Sequence, residues 1–133
     1  MRTDIDLMVA SIGTFIIYYV GGWDISIVTL VTFIILDVLT GIGWGLMSKS
    51  LSSEKGFDGM IKKAVILLIL VVAVLLDRML NNGTWVFRTL VAYYYIANEG
   101  ISILENAVKI GLPVPQGLTK VLETMKDKGD KVV

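Results

Sequence analysis

The chain has 133 residues, 55% of them hydrophobic and 18% charged, with no cysteine and no histidine. Soluble domains run at roughly 45–50% apolar and about 25% charged, so this composition, with a mean hydropathy of +0.75, points away from an ordinary soluble fold. The inventory excludes disulfides, zinc, haem and any cysteine or histidine catalysis, and twelve basic against twelve acidic residues leave no basic surplus for nucleic acid. No cofactor and no metal site is expected, and the length suits a single domain, 1–133.

The apolar residues arrive in four blocks. The first runs from Leu7 to Val20 and ends at Gly21-Gly22-Trp23-Asp24. It does not read as a signal peptide, because the leader Arg2-Thr3-Asp4-Ile5-Asp6 is acidic and Tyr18-Tyr19-Val20 stands where small residues would be cleaved. The second, Ile25 to Met47, is the longest and carries one charge, Asp37. The third holds thirteen consecutive apolar residues from Ala64 to Leu76, and Lys62, Lys63 and Arg78 can lengthen it by snorkelling. The fourth, Thr84 to Leu104, contains Trp85 and Tyr93-Tyr94-Tyr95 but also Arg88, Asn98 and Glu99. About twenty residues cross about 30 Å of hydrocarbon, so the expected spans are 5–22, 25–47, 62–80 and 84–104. An interfacial helix is the alternative for the last.

Lysine placement sets the topology. Lys49, Lys55, Lys62 and Lys63 lie between the second and third blocks, and Lys109, Lys120, Lys126, Lys128 and Lys131 follow the fourth. Four spans bring both basic regions and Arg2 to one side, so both termini are expected in the cytoplasm. Three spans would put the basic tail outside. Beyond Pro113 and Pro115, which stop a helix, Leu118, Val121, Leu122 and Met125 recur at helical spacing. They mark a short amphipathic helix, 116–128, on the inner membrane surface or against a partner copy; a solvated tail is the other reading. The expected fold is an all-α integral membrane protein with four transmembrane helices and this C-terminal amphipathic helix.

Polar residues inside apolar blocks carry the functional signal, because each costs about 2.5–3.5 kcal/mol on insertion scales unless partnered or hydrated. Gly41 and Gly45 share the face of Asp37, a small-residue surface that admits another helix closely. That face is read either as an oligomer interface or as packing within one chain, with Asp37 bonded to Thr40 or a basic group. In the fourth block Arg88, Ala92, Tyr95, Glu99, Ser102 and Asn106 fall in a stripe about 80° wide, bordered by Asn98 and Glu105. Leu90, Ala97, Ile101 and Leu104 lie largely opposite. The stripe must face protein or water, lining an aqueous lesion or joining a buried network with Asp37. Trp23, Trp44, Trp85, Tyr18 and Tyr19 near block ends are interfacial anchors.

Together these residues resemble a known family. Asp37-x-x-Thr40-Gly41, then Leu51-Ser52-Ser53 with Gly56-Phe57-x-Gly59 and Lys62-Lys63, is similar to the phage-lysis and toxin-secretion holins of Gram-positive bacteria. The stronger match is the run from Tyr95 to Asn106, YIANEGISILEN, followed by Gly111-x-Pro113-x-Pro115 and a leucine-rich basic tail. The likeness covers residues 30 to 126. It implies a protein that accumulates in the cytoplasmic membrane, a bacterial host's bilayer being its first partner. There it oligomerises into lesions that release an endolysin or a secreted toxin. The residues alone also admit a small ion- or proton-coupled transporter using Asp37 or Glu99, or a non-conducting membrane scaffold. An enzyme is not expected, since no nucleophile and base can be paired.

Overall fold

In the computed structural model, which describes residues 1–130, every regular element is helical. Lys131 lies outside the described residues. The five helices are α1 (Arg2–Val20), α2 (Ile25–Met47), α3 (Ser53–Leu80), α4 (Phe87–Ile110) and α5 (Gln116–Asp130). Their ends follow local chemistry. Gly21 closes α1 in the left-handed region at φ 84°, its N–H donating to the Ile17 carbonyl at 3.0 Å. A side chain there would be strained, and it would also strike the Arg88 Nε, which lies 2.8 Å from an added Cβ. Asp24 caps α2 by accepting the Ile27 N–H, and Ser52 caps α3 by accepting the Lys55 N–H. Gly111, at φ 107°, ends α4 ahead of Pro113 and Pro115.

Helix α4 has no capping side chain of its own. Its first N–H groups are satisfied from another helix: Asp77 of α3, fully buried, accepts from Phe87 N at 2.9 Å and Arg88 N at 2.8 Å. Asn81 Nδ2 donates to the same carboxylate at 2.9 Å. A negative charge at a helix N-terminus is favoured by the exposed N–H groups and the helix dipole, so Asp77 joins α3 to α4 and starts α4 together.

Cross-helix contacts fix the directions. Arg88 near the start of α4 meets Asp24, Asn106 meets Asp37 and Thr40, and Ile110 reaches Gly43. Thus α4 runs parallel to α2 along its length. Helix α3 is antiparallel to both, with Lys63 against Asp37 and Glu99, and Asp77 against Arg88. It starts at Ser53, ahead of the span expected from Lys62. Helix α1 packs on α3, where the Arg78 guanidinium stacks 4.0 Å from the Tyr18 ring centre and 5.7 Å from that of Trp85. Arg78 therefore lies between two rings, its buried Nη1 without a hydrogen-bond partner.

Helix α5 folds back antiparallel along α4. Leu122 packs on Gly100, and Gly129 sits against Tyr94 and the Leu90 carbonyl. Glycine on each helix lets the two backbones approach. The α4 face carrying Ala97 and Leu90, which the sequence sets opposite the polar stripe, is thereby covered, and Ala97 is fully buried. Enclosed by α2, α3 and α5, α4 is the central helix of the bundle.

The distribution of polarity is inverted relative to a water-soluble fold. Asp77, Arg88 and Glu99 are at most 4% exposed, whereas Phe15, Leu39, Leu68 and Val72 are all more than 55% exposed. The apolar core of Val20, Ile27, Leu30, Ile66, Leu70, Ala92 and Ile96 is small and separates two polar clusters. Helices α1, α2 and α3 are each long and apolar enough to cross a membrane, and their outward apolar faces are those of a protein solvated by lipid. Replacing Asp77 by Ala should lower stability in detergent by about 2 kcal/mol, because one buried and one half-buried N–H group lose their acceptor. Chemical denaturation followed by circular dichroism measures this, and an unchanged midpoint would deny Asp77 the capping role.

Candidate functional site

The first polar cluster closes one end of the bundle. The Arg88 guanidinium donates from Nη1 to Asp24 Oδ2 at 2.7 Å, from Nη2 to Asp24 Oδ1 at 3.2 Å, and from Nε to the Val20 carbonyl at 2.7 Å. Nη2 also reaches the Gly22 carbonyl at 3.1 Å. One side chain from α4 thus holds the end of α1, the turn and the start of α2, a use of the planar guanidinium fork that lysine could not reproduce. The fork also holds the Asp24 carboxyl below its ordinary value of 3.8, against a smaller opposing effect of burial.

The second cluster lies deeper. Lys63 donates from Nζ to Asp37 Oδ2 and to Glu99 Oε2, each at 2.6 Å, joining α3 to α2 and α4 at one point. Asn106 adds a donor to Asp37 Oδ1 at 3.1 Å and to Thr40 Oγ1 at 3.0 Å. One ammonium faces two carboxylates, so the cluster carries a formal excess of negative charge. It is flanked by two open clefts, of about 500 Å³ and about 560 Å³, both bordered by Asp37, Gly59 and Lys63. Trp44, Ser52 and Lys55 border the first, and Tyr95, Asn98 and Ser102 the second. The ion pairs therefore border open space on either side, unlike a pair sealed in an apolar core.

Within the single chain, Arg88 and Glu99 are buried, Tyr95, Asn98, Ser102 and Asn106 are half-buried, and Glu105 is exposed. Gly41 faces Asn106, at 3.8 Å from an added Cβ, and Gly45 is buried against Leu51, at 3.0 Å. Lys49, Lys55 and Lys62 are exposed at the opposite end from the Arg88 cluster. Lys63 stands apart from them: the sequence assigns it to the basic loop, yet it is the hinge of the deep network. Its signal was present, since Lys63, Ile66, Leu70, Ala73 and Asp77 follow the 3-4-3-4 spacing of one inward helical face. Asp24 and Asp77 were also not read as site residues. Both begin a helix or cap one, and only their partners reveal the second role.

Replacing Lys63 by Met should cost about 3–5 kcal/mol, because Asp37 and Glu99 are left facing each other without a cation. Adding Asp37→Asn and Glu99→Gln to that variant should restore most of the loss. Thermal unfolding in detergent micelles reads both, and a Lys63→Met protein as stable as the parent would refute the network. The Asp24–Arg88 contribution is complete above the ordinary carboxylate value of 3.8 and is lost as the pH falls through the depressed native value. Unfolding temperature followed on acidification should therefore fall less steeply in Asp24→Asn, and parallel curves would contradict the linkage.

Comparison with known proteins finds relatives over most of the chain. The chain is 52% identical over 120 residues to an uncharacterized 14.9 kDa protein in the nagH 3′ region of Clostridium perfringens, covering 90% of this chain and 91% of that one. It is 44% identical over 111 residues to an uncharacterized Clostridium acetobutylicum protein, covering 84% and 89% of the two chains. To a Bacillus phage phi105 protein named "Probable holin" it is 34% identical over 98 residues, 73% of this chain and 71% of the phage protein. No solved structure matches it. Residues 14–127 match the model of the bacteriophage holin family, a range that takes in both polar clusters and nearly all of α5, and the chain belongs to that family.

Proposed function

We propose that this protein is a holin of the bacterial cytoplasmic membrane. Four helices cross the bilayer with both termini inside, and copies oligomerise into lesions that let an endolysin, or another large protein cargo such as a secreted toxin, reach the outside. The observation that carries this reading is the charged seam among α2, α3 and α4 inside an otherwise apolar exterior. A seam of ion pairs between helices can stay closed against itself in one assembly and face water in another. What supports a fourth span is that α4 runs beside α2 from one end to the other, although its own composition is too polar to announce it. The exposed lysines Lys49, Lys55 and Lys62 at one end favour that end as cytoplasmic. Family membership and the phage relative's name point the same way, and the side chains offer no catalytic pairing that would favour an enzyme.

A second reading has one observation in its favour. The Lys63 network lies between two clefts, as an ion- or proton-coupled transporter would require. Liposomes separate the two: a holin releases large solutes, whereas a transporter carries only small ions down an imposed gradient.

Expression from an inducible promoter in a bacterium should give an abrupt loss of membrane potential after a lag, followed by lysis when an endolysin is present in the cytoplasm. Growth with the potential intact would sink the holin reading and leave a scaffold. In the same assay Gly41→Leu should delay or abolish the collapse, since the larger side chain pushes on Asn106 beside Asp37. Timing equal to that of the parent would remove the Gly41/Gly45 face from assembly.

A further inference from the structure

The position of α5 raises a physical conflict. Its fifteen residues include Lys120, Glu123, Lys126, Asp127, Lys128 and Asp130, and its packing sets them beside α4 from Gly100 back to Leu90. That stretch of α4 is level with the core residues Ile27 and Leu30 of α2. Where α2 and α4 lie in hydrocarbon, the outward face of a docked α5 would therefore lie there too. Charged groups at that depth require water or partners. Lys126 is turned toward the Tyr94 ring, 5.8 Å from its centre, but Lys120, Glu123, Asp127 and Lys128 are exposed and make no salt bridge among the described residues.

Docking also leaves apolar surface unused. Leu122 and Met125 pack inward, while Leu118 and Val121 remain 54% and 59% exposed. All four lie on one helical stripe, and a bilayer surface would cover all four at once. The connector between α4 and α5 permits both positions, since Gly111 is in the left-handed region and Pro113 and Pro115 keep helix from propagating through it. So α5 has two resting places with different requirements: a membrane surface that takes its whole apolar stripe, and a groove on α4 that is acceptable only where water stands at membrane depth.

We propose that α5 lies on the cytoplasmic membrane surface in the resting protein and folds onto α4 when a lesion opens, so that its charged face lines the water. The inference rests on the holin reading and adds a lining element to it. The groove on α4, formed by Leu90, Tyr94 and Gly100 with Phe33 of α2, is then the seat of α5 in the open assembly. Docking and hydration are coupled, because the charged face of α5 is stable at that depth only in water, and its presence in turn keeps the apolar face of α4 from meeting that water.

The chain has no cysteine, so single and paired cysteines report cleanly. An added Cβ on Gly129 would lie 2.8 Å from that of Tyr94 and 3.1 Å from the Leu90 carbonyl, closer than a disulfide allows, so the reporter is placed at Lys126, which faces the Tyr94 ring at 5.8 Å. A full-length Tyr94→Cys/Lys126→Cys protein, induced in cells and treated with a short membrane-permeant bis-maleimide, should show little intramolecular cross-link before loss of membrane potential and a several-fold increase after it. A separate Glu123→Cys protein should react with a membrane-impermeant maleimide added outside only after that loss. Equal cross-linking before and after, no cross-link at either time, or a residue 123 that stays unlabelled after opening would each overturn the proposal. A parent protein that never collapses the potential would instead overturn the holin reading, so the two failures are distinct.

Discussion

An ammonium held between two carboxylates, inside a protein whose outer surface is apolar, is the constraint on which this bundle depends. Neither Asp37 nor Glu99 can be turned toward lipid without a cost of several kcal/mol, and Lys63 is the cation that reaches both. Because the three residues come from α2, α4 and α3, satisfying the charges brings these helices together at one level. In hydrocarbon, apolar packing alone supplies little drive for helices to associate. Polar contacts and small residues carry the specificity instead, which is why Gly41 beside Asn106 and Gly45 beside Leu51 occur close to the same network.

The opposite end of the bundle is built on the same rule with a different geometry. Arg88 is buried, and its fork is filled by the Asp24 carboxylate and two backbone carbonyls. Its own N–H is taken by Asp77, so a single residue of α4 is bound through both backbone and side chain. Among the described residues helix α1 is tied in where its last turn meets Arg88 and Arg78, and nearly all the rest of it is exposed. A helix held at one end by few contacts opens before the core does. The tightly joined unit is therefore α2–α3–α4, with α1 the most loosely attached of the apolar helices.

Enclosure of α4 gives the protein its functional tension. One side of the helix is charged and meets α2 and α3; the other is small and apolar and meets α5. Neither side is an ordinary lipid-facing surface, so the helix needs partners all round, from its own chain or from other copies. In the proposed holin role, a choice between partners of similar stability would let the protein stay harmless and later permeabilise a membrane. The clefts on either side of Lys63 make the ion pairs the place where entering water would weaken that packing.

Much of this was legible in the order of residues, because helix formation and membrane residence are local properties. Apolar runs of sufficient length, the Gly21–Asp24 break, Pro113 and Pro115 as stops, and the polar stripe of α4 all follow from spacing along one helix, whereas the start of α3 at Ser53 lies in what the residues suggest is a loop. Periodicity also shows that Asp37 and Glu99 must turn inward. It does not show toward what. Lys63 reads as one more loop lysine until α3 is seen to begin at Ser53, and Asp77 looks like a charge at a helix end until it accepts the first N–H groups of α4. The fold-back of α5 rests on contacts between residues far apart in the chain, Gly100 with Leu122 and Tyr94 with Gly129. The sequence by itself therefore determined which groups needed partners, since desolvation and helical phase act residue by residue. Only the tertiary structure decided which partner each one took, because ion pairs and close backbone contacts depend on distances that no local pattern contains.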